Sequence, residues 1–217
     1  MKYLLFFLFS FSAYALDFKP GEGSQFVMST EGQKVDLSIY VTEKNATGLG
    51  VEMHFGAGGI MLTNMWQQFH FELNGDAPLV IKSGYIKTKP TNKPEIMTDD
   101  FFKQNDGGVQ MQDFLFSNSS EIQKDYVGNE SVELPAGTIM AKHYRKKRDD
   151  QIVDFWISDK VGPISLVKLV SKSEKNKRNN YSIELASLLR NVKASINPKE
   201  AVKLSKDTAE ILEKTKK

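Results

Sequence analysis

The chain has 217 residues, with 29 basic against 27 acidic side chains and a net charge of +2. That length suits one comfortable domain or two small ones, and the near-neutral sum argues against a nucleic-acid binder, which needs a large basic excess or a concentrated basic face. Hydrophobic residues at 40% are enough for a core, and the absence of cysteine excludes disulfides, thiolate metal sites, a cysteine nucleophile and an acylated lipoprotein cysteine.

Residues 1–15 read MKYLLFFLFSFSAYA. Lys2 is a short charged n-region, the run from Tyr3 to about Phe11 is an apolar h-region, and Ala13-Tyr14-Ala15 is a small-x-small cleavage site. This is the three-part pattern of a secretory signal peptide. The run falls short of the roughly 20 apolar residues that span a bilayer. Cleavage after Ala15 leaves residues 16–217 as a single soluble domain, and a bacterial periplasm is the expected compartment. The sequons at Asn45, Asn118, Asn129 and Asn180 matter only in a eukaryotic host.

The middle of the chain alternates with period two. Val35, Leu37, Ile39 and Val41 oppose Asp36, Ser38, Tyr40 and Thr42, as in a half-buried strand. Asn45 to Gly50 is turn chemistry, and Val51, Met53 and Phe55 resume the alternation. Phe69, Phe71 and Leu73 predict another strand. Asn74-Gly75-Asp76 is a hairpin signal, and Leu79 to Lys87 pairs back. Thr98 to Gln104 predicts a short helix. Val109, Met111, Phe114 and Phe116 lie in a strand-like stretch. Thr138 to Arg145, Ile152 to Ser158, Leu166 to Ser173 and Tyr181 to Leu185 complete the set. Eight to ten strands with short turns predict one antiparallel sheet, sandwich or barrel.

The period changes at the C-terminus. Asn197 is a cap, Pro198 suits the first helical position, and Glu200 lies three residues after the cap. Ala201, Leu204, Thr208, Ile211 and Leu212 make a narrow apolar stripe, so an amphipathic helix is expected over about 197–216. It packs on the sheet or docks on a membrane or partner.

The motif search predicts no catalytic residue, no metal site and no cofactor. His54, His70 and His143 are far apart in sequence, and no zinc-protease, nucleophile-elbow or phosphate-loop pattern occurs. His143 and Arg145 sit in the basic run 142–148, which holds an anion or lipid head group, or is a solvated strand end. The aromatic and methionine content carries more information. Trp66, Phe69, Phe71, Met111, Phe114, Phe116 and Trp156 are either a plain core or the lining of an adaptable apolar cavity.

The order Pro135-Ala-Gly-Thr138, His143-Tyr-Arg145, Trp156-Ile-Ser158 and Gly162-Pro-Ile-Ser-Leu-Val-Lys168 resembles the periplasmic lipoprotein-carrier-like superfamily. The likeness covers Val132 to Leu169. It implies a strongly curved antiparallel sheet, an incomplete β-barrel whose concave face is covered by helices, with Pro135 and Gly137 shaping a turn. It also implies an apolar concavity for lipid or lipoprotein acyl chains. The first expectation is therefore a non-catalytic periplasmic carrier for a lipid-like ligand or lipidated protein. The alternative is a cell-envelope interaction module acting through its sheet face or C-terminal helix on an envelope protein. A hydrolase or other enzyme whose site follows no motif is the third reading.

Overall fold

Alternation of apolar and polar side chains turns one face of each strand toward a shared core. In the computed structural model, which describes residues 18–58, 64–73, 80–98, 120–148, 150–175, 177 and 180–214, such strands join into one open, curved sheet of 12 strands. They are β1 (Gly23–Thr30), β2 (Gln33–Lys44), β3 (Gly48–Phe55), β4 (Met65–Glu72), β5 (Val80–Lys87) and β6 (Glu95–Ile96), followed by β7 (Tyr126–Leu134), β8 (Gly137–Arg148), β9 (Gln151–Ile157), β10 (Leu166–Ser173), β11 (Tyr181–Leu189) and β12 (Val202–Lys203).

The sheet order is β12-β6-β5-β4-β3-β2-β1-β11-β10-β9-β8-β7. Two meanders, β2 to β6 and β7 to β11, flank β1. This strand pairs antiparallel with β2 on one side and β11 on the other. Among the described residues the one parallel pairing is β12 on β6. The inner face carries the core, including Phe26, Leu37, Ile39, Val51, Phe55, Phe155, Leu169 and Leu185, all buried. Ser24 closes the centre by donating its hydroxyl to the Gly162 carbonyl, 2.5 Å away.

The strands at 34–43, 51–55, 69–72, 80–87, 138–145, 152–157, 166–173 and 181–185 fall where the sequence predicts them. β1 goes unpredicted. Its Phe26-Val27-Met28 run is apolar without a break, so period two is obscured, yet the strand is buried between both meanders. The Asn74 to Asp76 turn, residues 99–104 of the expected helix, and the stretch with Met111, Phe114 and Phe116 lie outside the described residues.

The expected helical cover is corrected. Among the described residues the α-helices are α1 (Ser120–Gln123) and α2 (Lys206–Lys214), which is too little to cover the sheet. The C-terminal helix starts about nine residues later than its stripe suggests. Asn197 does cap, accepting from the Lys199 N–H at 3.2 Å, but the turn it caps is a 3₁₀ turn over Pro198–Glu200. Sheet pairing then competes with the helix. Val202 donates to the Pro94 carbonyl at 2.9 Å, drawing the chain out as β12. Ser205 is the working cap of α2. Its hydroxyl oxygen accepts from the Thr208 N–H at 3.2 Å, while Glu95 accepts from the Ser205 N–H at 2.7 Å. No helix of the described residues is long and apolar enough to cross a membrane.

Candidate functional site

Cross-strand neighbours decide which side chains meet on a sheet. On the outer face, register places His54 of β3 opposite Trp66 of β4, and Trp66 opposite Lys87 of β5. The imidazole and indole stack with centroids 4.6 Å apart and planes at 5°, and the Lys87 ammonium lies 5.8 Å from the indole. The other meander repeats this. His143 of β8 faces Trp156 of β9, which faces Lys168 of β10. Here the rings stack at 4.4 Å and 12°, and Lys168 lies 5.9 Å from the indole. The two ladders run in the same order along the sheet, as β5-β4-β3 and β10-β9-β8. A His followed by an aromatic residue, at 54–55 and 143–144, and then a Trp one strand on, is the sequence signal that marks them.

The surroundings of the two ladders differ. Beside the first, the carboxylate of Glu52 is fully buried. It accepts from the Tyr40 hydroxyl at 2.5 Å, the Gln68 amide at 3.1 Å, and the backbone N–H groups of Ser195 and Ile196 at 2.9 and 3.0 Å. Gln68 also donates to the Ile196 carbonyl at 3.3 Å. These bonds fasten the segment after β11 across the outer face. Burial first, and then the Glu52 carboxylate, push the Tyr40 hydroxyl well above its ordinary value. His70 joins the rim of this network, with one nitrogen 2.8 Å from Glu43 and the other 2.9 Å from Gln68.

Beside the second ladder, His143 is buried and engaged at both nitrogens. Nδ1 lies 2.8 Å from a Glu130 carboxylate oxygen and Nε2 2.7 Å from an Asp154 carboxylate oxygen. Trp156 Nε1 donates to Glu130 at 2.9 Å, and Arg145 Nε donates to Asp154 at 2.7 Å. The indole N–H, and then the imidazole, lower the Glu130 carboxyl below its ordinary value. The Arg145 guanidinium is thus met inside the protein by Asp154, and both nitrogens of the buried His143 ring are taken up by Glu130 and Asp154.

The aromatic residues named from the sequence divide between the two faces. Phe69 and Phe71 are buried on the inner face, with ring centroids 6.4 Å apart. Trp66 and Trp156 lie on the outer face within the ladders. Met111, Phe114 and Phe116 are outside the described residues. Sequence reasoning passes over Gln67. It is fully buried on the inner face, with Met53 and Ile86 as its cross-strand neighbours, and among the described residues neither its amide nitrogen nor its oxygen has a hydrogen-bond partner. Met28, Met53, Met65 and Met97 are buried in the same core.

No family model and no curated protein sequence matches the chain. Among solved structures it is similar to a hypothetical protein from Chlamydia trachomatis, at 12% identity and a TM-score of 0.45, over 87% of this chain and 96% of that one. It is also similar to a YmcC-like-fold protein from Bacteroides fragilis, at 12% identity and a TM-score of 0.39, over 83% and 99%. A third likeness is to MucB in complex with the periplasmic part of MucA, at 10% identity and a TM-score of 0.41, over 88% of this chain and 57% of that one.

Proposed function

We propose that the chain is a non-catalytic binding protein of the cell envelope, exported by its N-terminal signal, whose inner sheet face takes up an apolar, lipid-like ligand. The observation that carries this reading is Gln67. A buried amide without partners costs on the order of 1–3 kcal/mol, and a protein that keeps one in an apolar face gains from it elsewhere. A ligand's polar end against Gln67 supplies the missing bonds. The four buried methionines around this face adapt their shape to an incoming chain. The resemblance to lipoprotein carriers points the same way.

The test is native mass spectrometry of protein purified from the exported fraction, then organic extraction and titration with a fluorescent fatty acid. A bound acyl species is expected. Gln67→Leu is expected to raise the stability of the empty protein by about 1–2 kcal/mol, by removing the orphan amide, and to weaken fatty-acid binding. A clean apo mass together with no fatty-acid binding overturns the proposal.

A second reading, an envelope interaction module, is favoured by the sheet's last strand. Tyr126 and Val127 of β7 and Met140 of β8 are large apolar side chains that stay exposed beside an open sheet edge. Capture of one defined envelope protein, lost in Val127→Arg, distinguishes it.

A further inference from the structure

The run 142–148 is not the chain's one basic stretch. Residues 172–178 read KSEKNKR, and the sheet brings the two together. Lys147 of β8 pairs with Ile152 of β9, which pairs with Lys172 of β10. Two lysines therefore stand on one face, one strand to either side of an isoleucine, roughly 10 Å apart at the backbone. They line a cleft of about 970 Å³ at the end of the sheet, between the β1–β2 turn, the β8–β9 turn and the β10–β11 connection. Lys175 lines it as well.

We propose that this cleft is a binding site for a phosphate-class anion, either a free phosphate ester or the head group of an anionic lipid. Among the described residues neither Lys147 nor Lys172 is paired with a carboxylate, and both are exposed. Three carboxylates also line the cleft, and they differ in availability. Asp150 is spent within its own turn. It accepts from the Ser173 hydroxyl at 2.5 Å and the Lys175 N–H at 3.3 Å, and these donors hold its carboxyl below the ordinary range. Glu31 and Glu174 are the other two. The three lining lysines match them in number, and the two on one face, Lys147 and Lys172, are the ones an anion would bridge. Ile152 and Val170, on the same face as the two lysines, add apolar lining. Lysines are the point-charge partners of phosphate, and neighbouring serine hydroxyls add neutral donors.

This site is separate from the inner face, and its test stands apart from that of the ligand proposed there. The full chain is titrated with inorganic pyrophosphate under amide NMR, and floated with phosphatidylcholine vesicles with and without phosphatidylglycerol. Three forms are compared: unmodified protein, Lys147→Gln/Lys172→Gln, and a control with Lys199→Gln/Lys203→Gln at the far edge. The expected result is binding with amide shifts around Gly32 and Asn180, weakened on the order of tenfold by the first pair and unchanged by the control. Pyrophosphate binding in solution identifies a free phosphate ester as the source. Binding confined to phosphatidylglycerol vesicles identifies a head group. Absence of both, or binding that survives in Lys147→Gln/Lys172→Gln, overturns the proposal. Gln67→Leu leaves anion binding intact, so failure of one site is distinguishable from failure of the other.

Discussion

His143 lies flat on Trp156, with ring centroids 4.4 Å apart, as His54 lies on Trp66 at 4.6 Å in the other meander. Each pair is directly cross-strand, and each indole carries a lysine on its other neighbour. The chain holds two tryptophans, so its tryptophan fluorescence, excited at the red edge of the indole band, reports these two ladders.

Trp66→Phe leaves Trp156 as the single tryptophan. Adding His143→Ala is expected to raise and shift its emission, because the imidazole no longer covers the ring. Stability is expected to fall by about 2 kcal/mol, since Glu130 and Asp154 lose their shared donor. Unchanged emission in the double variant rules out the stack.

Glu52 sets the path of the C-terminal segment. Glu52→Ala removes an acceptor from the Tyr40 hydroxyl and strands the Ser195 and Ile196 amides, and a loss on the order of 3 kcal/mol is expected in urea unfolding. Truncation after Asn197 keeps both backbone donors, whereas truncation after Ala194 removes them. The second cut is expected to lower the melting temperature well beyond the first. Equal effects of the two cuts count against the clasp.

Gly162 is a close-approach site. A Cβ placed there would stand 2.1 Å from the Phe18 ring. Gly162→Ala is expected to cost about 1–3 kcal/mol through overpacking. Phe18→Ala in the same chain is expected to recover part of that loss, giving a non-additive cycle in thermal melts. Strict additivity excludes the contact.

Two buried tyrosines, Tyr40 and Tyr144, and the half-buried Tyr181 set the alkaline limit. Burial pushes Tyr181 up to about 12 and, with smaller charge contributions from Glu52 and Tyr126 respectively, raises Tyr40 and Tyr144 above the ordinary value of 10.0. Above pH 10 the unfolded chain releases phenolic protons that the folded chain retains, so the unfolded state binds fewer protons. The stabilisation is complete below pH 10 and is lost as pH rises toward 12. Melting temperatures should fall across that window, with tyrosinate absorbance appearing together with unfolding. Tyrosinate absorbance that rises near pH 10 while the fold persists contradicts the assignment. The Tyr144 hydroxyl has no partner, so Tyr144→Phe is expected to be neutral or stabilising.

The sequence by itself determined much of the local structure. Period-two alternation marks β2, β3, β5, β9 and β10 because a strand with one buried face must alternate, and that signal is complete within a few residues. The absence of cysteine and the N-terminal pattern are likewise local facts. β1 escaped because its apolar residues are contiguous, and the C-terminal helix was overextended because the pull of β6 on Val202 lies over a hundred residues away in sequence. Cross-strand order was decided by tertiary structure alone. Whether Trp66 meets Phe69 or His54 depends on which strand lies alongside and in what register. The meeting of Lys147 with Lys172 across Ile152, the clasp of Glu52 on Ser195, and the lone Gln67 all arise from pairings between distant segments. No short window of sequence contains them.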